Sequence, residues 1–310
     1  MPRATRTKTD KAEDVQDAPT PSTAPLIPPV PKTTKTPGVQ FATLGDEKEY
    51  GRFLFYGREG SGKTTAALRA SRNGRVLVIN AEAGLKKRAL ESMGVEVSNV
   101  AMLNNVPGGR MTHDDIEAAF WQVKSDLATD PNSWYAVVFD SATDIINGFV
   151  EIASDDRVNK ARNRGVHIDS VDSFFTDRGD YGTAAKMFRD LLRKFRTLPC
   201  HLVITALERR DVDEDTSLVQ YGPAVPPALS VDLRGYMDEV YAFKAADDRK
   251  PFRALTRGVP KYYCKNRSKT MPKVLDDPFF DVIIDLVDHG DIVVDEPPTE
   301  DVKPENTNEN

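Results

Sequence analysis

Nine consecutive residues have the types and spacing needed to hold a phosphate chain. They are Gly57, Arg58, Glu59, Gly60, Ser61, Gly62, Lys63, Thr64 and Thr65. The pattern is that of a P-loop, in which glycines let the main chain close around phosphate oxygens with its N–H groups pointing inward. It predicts an ATP site where Lys63 binds the β- and γ-phosphates and the Thr64 hydroxyl completes the shell of a Mg²⁺ ion. A glycine turn that matches by chance is the alternative, but the apolar strand before it and the helical pattern after it favour a P-loop.

Two carboxylates are candidates for the same site. Asp140 ends an apolar run at 135–139, which is typical of the Walker B carboxylate that holds Mg²⁺ through water, although an Asp there is also a common helix N-cap. Glu82 follows the apolar run 76–80, where it could face the γ-phosphate and orient or deprotonate the attacking water. Its alternative role is that of an acid in the first turn of the next helix.

A basic pair far along the chain is a candidate for catalysis between subunits. Lys265 and Arg267 are two residues apart, so in an extended strand their side chains point to the same side, about 7 Å apart. Such a pair could neutralise transition-state charge on a triphosphate held by a neighbouring subunit. A solvated basic strand end is the simpler interpretation.

Hydrophobic periodicity predicts the elements that position these residues. Strands are expected at 52–56, 76–80, 97–103, 135–140, 201–206, 240–244 and 261–265, and helices at 63–72, 85–93, 113–128, 142–152 and 183–198. Alternating strands and helices imply an α/β fold with a central, mainly parallel sheet flanked by helices on both faces.

Composition divides the 310-residue chain into three parts. Residues 1–40 are rich in Pro and Thr and are expected to form a disordered arm, whereas residues 41–290 are expected to form the folded domain and residues 291–310 a disordered acidic tail. Residues 285–310 contain nine acids and one base, so the net charge of −6 leaves +2 on the remainder. The acidic average therefore does not argue against a polyanionic partner.

Composition also disfavours membrane and secreted classes of protein. No apolar run approaches the length of a membrane span, and the N-terminus has no hydrophobic region of signal-peptide type. Cys200 and Cys264 lack metal-ligand spacing and are expected to be buried free thiols. We expect no membrane partner and a cytoplasmic location, which would be the host cytoplasm if the chain is phage-encoded.

The ordered set of motifs resembles the RecA-like recombinase core, and more closely the phage-type AAA/RecA-like ATPases of single-strand DNA annealing and recombination. The resemblance covers about residues 45–285. The matching segments are the P-loop, the strand region 76–85 with Glu82, the Walker B strand region 137–142, the long helix and sensor strand in 180–207, and Lys265-Asn266-Arg267.

The resemblance implies roles for these residues and partners for the protein. It implies that Glu82 is the catalytic glutamate and that Lys265 and Arg267 reach the γ-phosphate held by a neighbouring subunit of a homo-oligomer. It further implies single-stranded DNA as a ligand, and a single-strand-binding or recombination protein as a further partner. Thr205 of the sensor strand is expected to hydrogen-bond a phosphate-bound water, because this strand lacks the Asn or Gln that ends it in RecA proteins.

The resemblance also implies two mobile loops that grip DNA, near residues 154–180 and 208–232. The first contains Arg157, Lys160, Arg162, Arg164, Phe174 and Phe175, and the second contains Arg209, Arg210 and Tyr221. Cations beside rings are what a single strand needs, although in bare sequence both segments are ordinary surface insertions. A proline-rich arm stands where RecA proteins have a folded docking element, so the form of the oligomer is left open.

The leading interpretation is therefore a DNA-stimulated ATPase that binds single-stranded DNA in phage-type recombination or annealing. Two interpretations from other classes stay open. One is a P-loop kinase of a small molecule or nucleotide, with segment 154–180 as its lid. The other is a nucleotide-switched scaffold that barely hydrolyses ATP.

Overall fold

The computed structural model describes residues 49–104, 110–165, 176–212, 218–245 and 252–293. Backbone contacts divide the chain into Met1–Glu49 and Tyr50–Asn310. The first unit contains a single described residue, Glu49, so the strands and helices below all belong to the second unit. The predicted arm at 1–40 and the predicted tail beyond residue 293 lie outside the described residues.

Strands and helices alternate from residue 52 to residue 163 of the second unit. The strands are β1 (Arg52–Gly57), β2 (Val76–Asn80), β3 (Val100–Asn104), β4 (Ala136–Asp140), β5 (His201–Val212), β6 (Val219–Pro223), β7 (Glu239–Lys244), β8 (Arg253–Leu255), β9 (Lys265–Asn266) and β10 (Val274–Asp276). The helices are α1 (Lys63–Leu68), α2 (Lys87–Ser92), α3 (His113–Thr129), α4 (Ala142–Asn163), α5 (Arg178–Phe195), α6 (Pro227–Tyr236) and α7 (Phe280–His289). Two 3₁₀ turns cover Arg69–Arg72 and Val97–Asn99.

One sheet in the order β10-β8-β7-β1-β5-β4-β2-β3 forms the centre of this unit. The strands from β7 to β3 along this order run parallel to one another, whereas β8 and β10 add an antiparallel edge. Strand β6 pairs with the extension of β5, and the short β9 pairs with β7. The predicted α/β class with a mainly parallel sheet is confirmed.

Two buried clusters lie on opposite faces of the sheet. Successive side chains of a strand point to opposite faces, and alternate residues of β1 belong to different clusters. Leu54 and Tyr56 belong to the cluster under α3 to α6, whereas Phe53 and Phe55 belong to the cluster under α1 and α7. Aromatic contacts join the sheet to the helices on both faces. The ring centroids of Phe139 and Phe195 are 4.9 Å apart, and those of Phe53 and Phe280 are 5.0 Å apart. Burial on both faces explains why these strands read as continuous apolar runs.

Helix α4 is longer than predicted and occupies the start of the first expected loop. It runs to Asn163 instead of ending near residue 152, because Ala153 and Val158 continue its buried face. Its end lies near Gly165, which adopts a left-handed φ of 76°. Helix α5 then begins at Arg178, so the described parts of the expected loop 154–180 are largely helical. Residues 166–175, with Phe174 and Phe175, lie outside the described residues.

The second expected loop, 208–232, is also more ordered than predicted. Strand β5 continues to Val212 and pairs antiparallel with β6, and α6 starts at Pro227, where a proline suits the first helical position. The predicted strand 261–265 is wrong, because a turn that closes from the Tyr262 N–H to the Val259 carbonyl at 2.9 Å interrupts it. Of that region, Lys265–Asn266 remains as strand. Among the described helices, none is long and apolar enough to cross a membrane.

Candidate nucleotide site

The phosphate-binding segment lies where β1 meets α1, at the carboxyl edge of the sheet. Gly62 has a left-handed φ of 85°, which residues with a Cβ rarely adopt. A Cβ on Gly57 would stand 2.4 Å from the carbonyl oxygen of Phe243, so the main chains of β1 and β7 approach each other too closely for any side chain. These two glycines are therefore required by the shape of the segment itself.

The Lys63 ammonium is buried inside this segment. Its Nζ donates to the carbonyl oxygens of Gly57 at 3.0 Å and Arg58 at 2.9 Å, and the residue is 8% exposed. Loss of hydration lowers the pKa of Lys63, while the negative charges of Glu82 and Asp140 partly oppose that shift. The ammonium is thus held at the centre of the loop by carbonyl oxygens that a phosphate oxygen could replace.

Asp140 is the residue on which the site converges. It ends β4, is 2% exposed, and its Oδ1 accepts hydrogen bonds from the hydroxyls of Thr64 at 2.8 Å and Thr205 at 2.6 Å. Desolvation raises the pKa of the Asp140 carboxyl, whereas the two hydroxyl bonds and the Lys63 charge act in the opposite direction. A buried carboxylate with this many donors is fixed in one orientation.

Thr64 and Asp140 fit a Mg²⁺ ion. The Thr64 hydroxyl donates its proton to Asp140, so the oxygen's lone pairs stay free to bind a cation. The hydrogen bond holds the two oxygens 2.8 Å apart, so the Asp140 carboxylate stands beside any cation that the hydroxyl binds and could accept from that cation's water ligands. The helix-cap role that the sequence left open for Asp140 belongs to Ser141, whose hydroxyl accepts from the Asp144 N–H at 3.3 Å.

Glu82 lies beside Asp140, across strands β2 and β4. The N–H groups of Ala81 and Glu82 donate to the Asp140 carbonyl at 2.9 and 3.3 Å, which fixes the turn after β2. Helix α2 begins only at Lys87, so Glu82 is not in its first turn. The Glu82 side chain is exposed, and desolvation followed by the charges of Asp140 and Asp144 raises its pKa. A carboxylate with a raised pKa at the mouth of the site is suited to accept a proton.

Thr205 is placed differently from the expectation. It is fully buried in β5 and donates to the Asp140 carboxylate, with the Phe139 carbonyl a further 3.3 Å contact. Its hydroxyl therefore reaches the site through Asp140, and we assign it as a positioning residue for that carboxylate.

Lys265 and Arg267 lie at the other end of the sheet. Asn266 pairs with Glu239, which is four residues before Phe243, the partner of Gly57; this separation along the strand is about 13 Å. The Lys265 ammonium donates to the carbonyl oxygens of Arg234 at 3.3 Å and Met237 at 2.5 Å, at the end of α6. Neither cation is brought to the phosphate-binding segment of its own chain.

Arg267 is the more available of these two cations. Its side chain is 69% exposed and pairs with Asp238 at 2.6 Å, an exposed ion pair of small net stability. Lys265 instead stabilises the carbonyl end of α6, where a cation is favourable. Of the two cations expected to reach a neighbouring subunit together, Arg267 is the one that is exposed.

Three contacts at or beside the site had no clear sequence signal. Glu208, whose side chain is 5% exposed, lies 3.6 Å from Arg58 of the phosphate-binding segment and 3.1 Å from Lys244 at the end of β7. The Leu207 N–H donates to the Thr143 hydroxyl at 3.0 Å, which joins the sensor strand to the start of α4. Strand β5 therefore contacts the Asp140 carboxylate through Thr205 and the phosphate-binding segment through Glu208.

Comparison with known proteins identifies a family for this site. A family model described as an AAA domain covers residues 49–269, more than two thirds of the chain. The matched range contains every candidate site residue, from Gly57 in the P-loop to Arg267. No curated protein matches the chain.

Proposed function

The chain belongs to the AAA domain family, a family of nucleotide-binding ATPase domains, and from this premise we propose that it hydrolyses ATP and couples hydrolysis to binding of single-stranded DNA. The observation that carries the ATPase part is the convergence on Asp140. The P-loop contributes Thr64, the sensor strand contributes Thr205, and the turn before α2 is tied to the same residue by its backbone.

Each residue then has a role in the proposed reaction. Lys63 leaves the loop carbonyls and binds the β- and γ-phosphate oxygens, and the N–H groups of Gly60 to Thr65 hold the phosphates. Thr64 and Asp140 would hold a Mg²⁺ ion, which would neutralise charge on the phosphates. Glu82 orients the attacking water and accepts its proton.

The first test concerns Thr205. Thr205→Val keeps the shape of the side chain but removes a hydrogen bond to a buried carboxylate, which is worth about 1.5 to 3 kcal/mol. We expect the Mg²⁺ concentration for half-maximal ATPase activity to rise about tenfold, because Asp140 is then oriented less well and protonated more readily. Thr183→Val, at an exposed hydroxyl of α5, is the matched control. An unchanged Mg²⁺ requirement would contradict the positioning role.

A groove beside the sensor strand supports the DNA part of the proposal. It has a volume of about 520 Å³ and is lined mainly by apolar and cationic residues, among them Thr143, Ile146, Arg178, Tyr181, Arg209 and Pro226. Tyr181 is 45% exposed, and Arg178 is exposed as well. An exposed ring for base stacking beside an exposed cation for phosphates is the combination that single strands require, and the second cation, Arg209, is paired with Asp211 at 2.8 Å.

The groove is mechanically connected to the nucleotide site. Thr143 lines the groove, accepts a hydrogen bond from the sensor strand, and stands three residues after Asp140. A shift of Asp140 on nucleotide binding would therefore move the groove wall directly. This connection gives the proposed coupling between ATP and DNA a physical route.

Tyr181 provides the test of the DNA part. We expect single-stranded oligonucleotides to stimulate the ATPase, and Tyr181→Ala to weaken oligonucleotide affinity about tenfold, since stacking contributes about 1 to 3 kcal/mol per base. Tyr181→Phe should retain the affinity, and Trp121→Ala, at an exposed ring on α3, is the matched control. Stimulation by small acceptors instead of oligonucleotides would favour a kinase. Equal oligonucleotide affinities of the wild type and Tyr181→Ala would show that this groove is not the DNA-binding site.

The proposal includes ATP sites completed between subunits of a homo-oligomer, as part of phage-type recombination or annealing. The support is the position of Arg267, which is exposed and too far from the phosphates of its own chain to act there. If a guanidinium so placed acts on a nucleotide at all, that nucleotide is bound by another subunit. Lys265 would serve indirectly, by fixing the end of α6 beside it.

A further inference from the structure

An aromatic ring lies directly against the phosphate-binding segment. A Cβ built on Gly62 would stand 2.9 to 3.1 Å from three carbons of the Phe252 ring, so the ring occupies the space that any side chain at that position would need. Gly62 is immediately followed by Lys63, the proposed phosphate-binding lysine. Phe252 is therefore within a few ångströms of the segment that would bind the phosphates of a nucleotide.

Phe252 stands on the side of β1 that is remote from Asp140. In the sheet order β8-β7-β1-β5-β4, strand β4 carries Asp140 on one side of the P-loop strand, and β8 lies on the other. Arg253 pairs with Lys244, the last residue of β7, so Phe252 is just beyond the carboxyl end of that strand, level with the P-loop. A nucleotide whose γ-phosphate faces Asp140 and Glu82 has its base at the opposite end, towards β7 and β8.

Hydrogen bonds fix the backbone of Phe252, while its ring lies outside the buried core. Phe252 is partly exposed, and among the described residues neither buried cluster includes it. Its carbonyl accepts from the Asp277 N–H at 2.7 Å, and the next residue, Arg253, pairs with Asp276 at 2.5 Å. These contacts fix the start of β8 against β10, so the backbone that carries the ring is held beside the phosphate-binding segment although the ring is not part of the core.

We infer that the Phe252 ring is the platform on which the base of the bound nucleoside triphosphate stacks. This inference rests on the proposed function and adds the recognition of the base to that of the phosphates. A phenyl face offers stacking and apolar contact without hydrogen-bond donors, so it favours purines, which have the larger ring, over pyrimidines. The phosphate contacts of Lys63 and the P-loop are independent of it.

The test compares a ligand with a base to one without. Affinities of MgATP and Mg-tripolyphosphate are measured by calorimetry for the wild-type chain, Phe252→Ala and Phe252→Trp. Because alanine offers no face on which the base can stack, Phe252→Ala should weaken ATP binding about tenfold or more. Tripolyphosphate affinity should stay within about twofold, and Phe252→Trp should bind ATP at least as well as the wild type, since the indole has the larger face.

Phe279→Ala is the matched control, since Phe279 is another partly exposed ring, in contact with Arg69 before α7. It should leave both affinities unchanged. As a second readout, ATP but not tripolyphosphate should quench the fluorescence of the indole that Phe252→Trp introduces.

The outcomes separate the inference from the proposed function. Equal losses of ATP and tripolyphosphate affinity in Phe252→Ala would mean that the ring only supports Gly62, and unchanged affinities would mean that the base lies elsewhere; either overturns the inference alone. A wild-type chain that bound neither ligand would overturn the proposed function and, with it, this inference.

Discussion

An equal mixture of Lys63→Ala and Arg267→Ala proteins should recover about a quarter of the wild-type ATPase activity, although each protein alone should be nearly inactive. In such a mixture, about one interface in four joins an intact P-loop to an intact arginine. Lys63→Ala removes the cation that binds the β- and γ-phosphates, so its own sites stay empty. Arg267→Ala removes the proposed trans-acting guanidinium, with an expected loss of about 10²-fold or more in turnover.

The two single variants should fail for different reasons, which ATP binding can distinguish. Lys63→Ala should lose MgATP affinity, whereas Arg267→Ala should retain it, since Asn266, the residue before Arg267, already pairs about 13 Å along the strand from the P-loop of its own chain. Neither change is expected to unfold the chain. Lys63 is a desolvated cation with a lowered pKa, and the Arg267–Asp238 pair is largely exposed.

Arg110→Ala is the matched control for Arg267→Ala, because Arg110 also forms exposed ion pairs, with Glu151 and Asp155. A mixture of Lys63→Ala with Arg110→Ala should show only the activity of the second protein. Two results would count against catalysis between subunits: Arg267→Ala turning over ATP like the wild type, or a mixture no more active than its components.

The sequence was sufficient for the parts of the site whose signals are local. The P-loop is recognisable because its lysine, hydroxyl and glycines are consecutive, and Asp140 and Glu82 because each follows a continuous apolar run. Strands buried on both faces produce such runs, so β1, β2 and β4 were predicted to within a residue. The edge strands β8 and β10, with three residues each, are too short to show a period.

Contacts between distant segments could not be predicted in the same way. Phe252 meets Gly62 across about 190 residues of chain, and Glu208 meets Arg58 across about 150, so no local pattern marks either. The length of α4 was underestimated for a different reason. Beyond the predicted end at residue 152 it buries only Ala153, Ser154 and Val158, and a helix end with so few large apolar residues resembles a loop in sequence.

Glu82→Gln should reduce the turnover number about 10²-fold or more while leaving MgATP affinity equal or higher. The amide keeps the size of the side chain but cannot accept the proton of the attacking water. It also removes a negative charge that Asp140 and Asp144 repel, so folding and binding of an anionic ligand are not expected to suffer. Single-turnover measurements should show the same loss as steady state, since the chemical step itself is slowed.

Glu91→Gln is the matched control, because Glu91 is an exposed glutamate on α2 whose partner is Lys87. It should leave turnover unchanged. If Glu82→Gln had as little effect as the control, the chain would be better described as a nucleotide-switched scaffold with slow, unassisted hydrolysis.

The pH dependence gives an independent check on the same residue. The pKa of Glu82 is raised above its ordinary value of 4.5, so on acidification the carboxylate takes up its proton, and turnover falls, at a higher pH than for an ordinary glutamate. Asp140 also has a raised pKa, but its protonation should act through Mg²⁺ and appear as a higher metal requirement. In Glu82→Gln the acidic fall in turnover at saturating Mg²⁺ should therefore disappear, while the rise in Mg²⁺ requirement remains. If both persisted in the variant, the proton acceptor would be a residue other than Glu82.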